Sequence, residues 1–154
     1  MNTMDGGEAA KRLYDCLRER RFAEATFYLN TPLETAPPET LFNIALTNIY
    51  LGNAASAIFP LERALFLLKR MPLLSAKPRT EEYRRARKVD IENEIYLMPM
   101  SSEYVTVFLD IARENAALAA IYACEQSDNP HKTAAFAAVL NGEEFADFKE
   151  KYRV

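Results

Sequence analysis

His131 is the only histidine in the 154 residues, and it follows Pro130 directly, at the start of a predicted helix. A nucleophile and base would have to be built on this one imidazole, since no Ser, Cys or acid has a second one to work with. Its position favours an exposed first-turn residue. Cys16 and Cys124 each fall in an apolar-periodic segment, where buried free thiols are common, and their spacing fits neither a metal knuckle nor a redox pair. A disulfide between them would require the first and last helical regions to touch. Glu92 with Glu94 and Glu143 with Glu144 lack the Glu-x-x-His partner of a di-iron bundle. Gly-x-Gly-x-x-Gly and Walker patterns do not occur either, which leaves no case for a nucleotide pocket. No catalytic residue, metal site or cofactor is expected.

The chemistry that remains is recognition. Residues 69–88 carry eight Lys or Arg against two Glu, a net +6, whereas residues 89–154 carry a net −7 and residues 1–68 a net −2. Arg84, Arg85, Arg87 and Lys88 are the densest part of that window. They could steer an acidic protein partner, stay solvated, or be neutralised by the acidic C-terminal half. Nucleic acid is disfavoured, because the rest of the chain is acidic and no binding module is recognisable.

These residues must be positioned by helices. A chain of 154 residues suits one compact domain, and only 4 glycines favour long helices over a turn-rich sheet protein. No apolar run approaches the length of a bilayer-spanning helix, so the chain is expected to have no membrane span and to be cytoplasmic.

Apolar residues spaced by three and four predict a helix over 8–20 with Leu13, Cys16 and Leu17 inward, and a second series from Phe22 to Leu29. Pro32, Pro37 and Pro38 make the next stretch a connector. Residues 39–51 and 54–70 form the clearest pair, separated by Gly52 and Asn53, and so short a link forces them antiparallel. A charged helix follows over 81–95 and ends before Pro99. Ser101 or Ser102 caps a long helix from 103 to about 124, in which residues 112–123 hold six alanines. A short helix near 131–140, a stop at Asn141 and Gly142, and a last helix that docks Phe145 and Phe148 complete the chain.

Residues 38–71 resemble a tetratricopeptide repeat, a unit of about 34 residues with large and small side chains at fixed offsets. Leu41 stands at the first large position, Ile44 and Ala45 where the family has Leu and Gly, and Gly52 and Asn53 at the turn. Ala57 and Ile58 open the second helix, with Leu61 and Ala64 at its large and small positions. A weaker copy over 8–30 lies at an offset of 32: Ala9, Leu13 and Leu17 answer Leu41, Ala45 and Ile49, and Arg21 to Ala25 answer Asn53 to Ala57. Some small bacterial secretion chaperones look broadly similar. The sequence departs from the pattern at Pro60, which should kink the second helix, at Arg12, and beyond residue 73.

The resemblance implies an all-α fold of antiparallel helical hairpins in a right-handed superhelix, with residues 80–154 as a divergent helical cap on a single domain. It also implies that a peptide or partner protein binds on a face lined by first helices. Asn43, Thr47 and Asn48 lie along the first helix of the clear copy, and Lys11, Arg12 and Tyr14 at comparable places in the other. These groups could bond a peptide, be solvated, or bond within the hairpin. Asn48 is favoured, since an amide inside an apolar stripe needs a partner if buried. Peptide binding there depends on the 81–95 helix not filling the face. Two other readings stay open: a small helical ligand-binding protein or enzyme with its pocket between the hairpins and the cap, and a structural subunit that oligomerises through the 103–124 helix.

Overall fold

The computed structural model describes residues 6–73 and 77–152, and these are all-helical, with no strand among them. The helices are α1 (Gly6–Arg18), α2 (Phe22–Ala25), α3 (Pro38–Tyr50), α4 (Ile58–Arg70), α5 (Glu81–Glu92), α6 (Ser102–Val107), α7 (Leu109–Gln126), α8 (Thr133–Ala137) and α9 (Ala146–Lys151). Along the body of the molecule α1 packs on α3, α3 on α4, α4 on α7 and α7 on α8. The centre is α7, where all six alanines of 112–123 are buried along with Leu118 and Ile121. A helix apolar on every side belongs inside a core, and its small side chains let α4 and α8 approach. Those alanines are therefore spent within one chain and form no outer surface for a second copy.

Three helices end alike. Arg20, Gly52 and Asp128 have φ of 60°, 82° and 53°. In each case the next N–H bonds back to a carbonyl five residues earlier, Cys16, Asn48 and Cys124 respectively, at 2.8 Å. This is the left-handed exit that satisfies the last carbonyls of a helix. Arg20 and Gly52 are 32 residues apart, the offset of the two copies, so the two first helices stop at equivalent points. The second helices differ. In the upstream copy α2 is a single turn followed by a 3-10 turn over Thr26–Tyr28, not a full partner helix.

Other boundaries also depart from the periodicity. Residues 54–57 form a 3-10 turn, so α4 starts at Ile58 and Pro60 sits in its first turn. A missing N–H costs nothing there, and the expected kink is unnecessary. The 103–124 helix is two helices, broken at Phe108 (φ −122°, ψ 48°) after the β-branched run Val105, Thr106, Val107, which propagates a helix poorly. Ser101 does cap α6, accepting from Tyr104 N–H at 3.0 Å. The α5 helix stops at Glu92 instead of 95, with Glu94 left-handed (φ 54°) ahead of a 3-10 turn over Ile95–Leu97. Phe145 is fully buried and Phe148 packs on the core, the docking expected of the last helix. Cys16 and Cys124 are buried free thiols.

Candidate binding groove

Three of the polar residues singled out by their spacing, Lys11, Tyr14 and Asn43, line one groove of about 630 Å³. It lies between the N-terminal parts of α1 and α3, with the connector through Pro32 and Pro37 on one side and Ser101 and Ser102 on the other. Its walls are mainly apolar, from Ala10, Ala36, the prolines and Met100. The connector is fixed by Arg63, whose Nε and Nη2 donate to the carbonyls of Leu33 at 3.2 Å and Glu34 at 2.9 Å.

At the inner end the groove is closed by the protein itself. Asn43 is 1% exposed; its Nδ2 donates to Met100 O at 2.8 Å and its Oδ1 accepts from Met100 N–H at 2.9 Å. A side-chain amide thus pairs with a backbone amide as a neighbouring strand would. Thr47, fully buried, donates to Asn43 O at 2.9 Å. Tyr50, stacked on Phe22 at 4.6 Å, donates its hydroxyl proton to Leu97 O at 2.5 Å. The α3 face that the resemblance assigns to a peptide is therefore covered by residues 97–100, while α5 lies elsewhere, against the turns over Ile95–Leu97 and Glu143–Phe145. Asn48 is half-buried, bonds Ile44 O at 3.3 Å within its own helix, and does not line the groove. The buried amide that needed a partner is Asn43. Lys11 is exposed, Tyr14 is half-buried with the Arg18 guanidinium 5.8 Å from its ring centre, and Arg12 pairs with Glu8 at 2.8 Å.

Part of the basic window is answered by the acidic half. Arg79 reaches Glu144 and Glu114, each at 2.6 Å, and approaches Asp110 at 3.6 Å. Arg87 is 2% exposed and donates to Glu114 at 3.3 Å and to Asn115 at 2.7 Å. Arg87 is thus a buried structural cation, not an open docking residue. Arg84 lies 3.9 Å from Glu144, Arg85 pairs with Glu81 one turn away at 2.7 Å, and exposed Lys88 has no ion pair among the described residues. Burial works against the Arg79 charge, but the Glu114 and Glu144 carboxylates outweigh it and its pKa stands above the usual arginine value. Burial pushes the Glu114 carboxyl up, against the pull of the Arg79 and Arg87 guanidiniums. The cluster ties α5 and the segment before it to α7 and to the C-terminal turn.

His131 is exposed, and no group of three His, Cys, Asp or Glu that could hold a metal occurs among the described residues. No helix among them is long and apolar enough to cross a membrane. No family model, no curated protein and no solved structure matches the chain.

Spacing alone misses Thr40, Met100 and Ser102 in the groove, and Arg79, Glu114 and Glu144 in the buried cluster. The partners of Arg79 are 35 and 65 residues away, so no local pattern marks them. Thr40 carries one legible signal: it lies in the first turn of a helix that begins with Pro37 and Pro38 and has no side-chain cap.

Proposed function

We propose that this protein is a non-enzymatic binding module that takes a short peptide segment of a partner protein in the groove between α1 and α3. The observation that carries the reading is the convergence of Lys11 and Tyr14 of α1 with the first turn of α3 on one mainly apolar groove, closed at its inner end by Asn43 and Met100. The likeness of 8–30 and 38–71 to tetratricopeptide repeats, a family that mostly binds peptides, supports it. Self-coverage by residues 97–100 shortens the site: only the N-terminal end of the α3 face is open, enough for a few residues and not for a long strand.

The test is selection of phage-displayed random heptapeptides on the full chain, followed by binding to an Ala10→Trp variant. Ala10 lines the groove without belonging to the core, so the indole plugs the site and leaves the fold alone. Selected peptides should lose most of their affinity for the plugged protein. Failure to enrich any sequence, or binding indifferent to the plug, would remove this reading. A volume of about 630 Å³ also suits a small molecule. Under that second reading the selection yields nothing, while a small-molecule panel gives thermal shifts that Ala10→Trp abolishes.

A further inference from the structure

Both α1 and α3 begin at the groove, which Gly6 and Gly7 line from one and Pro37, Glu39 and Thr40 from the other. At the start of α3 the backbone donors are bare: Pro38 has no N–H, Leu41 N–H bonds Pro37 O at 3.0 Å, and no side chain caps the helix. The amides of Glu39 and Thr40 are left over, at the positive end of a helix of 13 residues.

A second observation points to the same spot. Thr40 is 4% exposed, and its hydroxyl has no hydrogen-bond partner among the described residues. A threonine one turn into a helix can turn its hydroxyl back to a carbonyl, as Thr47 and Thr106 do here at 2.9 and 3.0 Å; Thr40 does not. A buried hydroxyl left unpaired costs stability, and beside bare amides it is free to bond a group that enters the groove. Lys11, exposed and in no ion pair among the described residues, adds a positive charge on the opposite wall. Glu39 lines the same groove and opposes an anion.

We infer that the α3 N-terminus is an anion subsite, in which the Glu39 and Thr40 amides, the Thr40 hydroxyl and Lys11 receive the side-chain carboxylate of an acidic residue in the bound peptide. This rests on the peptide reading of the groove and specifies its ligand. The occupant is acidic because the bare amides donate, the Thr40 hydroxyl can donate beside them and Lys11 adds a positive charge, with Glu39 the one opposing charge.

The experiment repeats the heptapeptide selection on the wild type and on Thr40→Val, then measures the best wild-type peptide and its Glu→Gln or Asp→Asn twin by fluorescence polarisation. Wild-type clones should share an acidic residue at one position that Thr40→Val clones lack. Thr40→Val should bind the acidic peptide about tenfold more weakly, by loss of a hydrogen bond to a charged group. Lys11→Met should weaken it about threefold and Glu39→Gln tighten it about threefold, the size of exposed or helix-end charge effects. Without peptide, Thr40→Val should unfold at a higher urea concentration than the wild type, because the unpaired hydroxyl is gone. A purely structural Thr40 would instead lower stability and leave the acidic preference intact. Clones that bind in the groove without an acidic residue, or equal affinity for the amide twin, overturn the subsite while the groove reading stands. No enrichment at all overturns both.

Discussion

Asn43 shows how far a single residue type can be read. Its place in an apolar stripe marks it as an amide in need of a partner, and Asn48, one turn on, carries the same mark. What separates them is the partner, Met100, 57 residues away. A polar side chain announces a need, and only the fold says what meets it. Asn43→Ala strands both the N–H and the C=O of Met100 in a buried place, so a loss of about 2–4 kcal/mol is expected in urea denaturation. Asn43→Asp should cost at least as much, since it replaces the donor facing Met100 O with a second acceptor. The basic window follows the same logic. Arg84, Arg85, Arg87 and Lys88 look equivalent in sequence, yet they range from fully exposed Lys88 to an Arg87 enclosed by Glu114 and Asn115, because an amphipathic helix turns neighbours to opposite sides.

At the scale of elements, periodicity reads the interiors of helices and misses their ends. Leu13, Cys16 and Leu17, placed inward by their spacing, and Leu41, Ile44, Leu61 and Ala64, at the large and small positions of the clear pair, are buried. The ends depend on backbone geometry that apolar spacing does not encode: the 3-10 turn that moves Pro60 to a first turn, the break at Phe108, and the left-handed exits at Arg20 and Asp128. Gly142 is the end that matters most for the buried cluster. Its φ is 115°, and a Cβ there would lie 2.7 Å from the Glu144 carboxylate that holds Arg79. Gly142→Ala must therefore strain the backbone and push Glu144 away from its cation, for about 2 kcal/mol or more. Amide hydrogen exchange should quicken in α5 and α9 together while α3 and α4 stay protected.

At the scale of the molecule, a charge of −3 made of −2, +6 and −7 regions becomes in part an internal tie, as Arg79 and Arg87 are drawn to Glu114 and Glu144. Among the described residues the side-chain bonds that cross from the first half to the second are few: Asn43 to Met100, Tyr50 to Leu97, Lys132 to Glu62, and Arg113 to the carbonyls of Leu68 at 2.9 Å and Met71 at 2.6 Å. Beneath them α4 packs along α7. Seen this way, residues 97–100 are an intramolecular guest that the first half already hosts. The consequence is complementation. Residues 1–73 and 74–154, expressed as two separate polypeptides, should find each other and rebuild the helical body, co-eluting as one species of the mass of the whole. Asn43→Ala in the first piece should loosen that pair far more than it loosens the continuous chain, since covalent linkage no longer holds Met100 nearby.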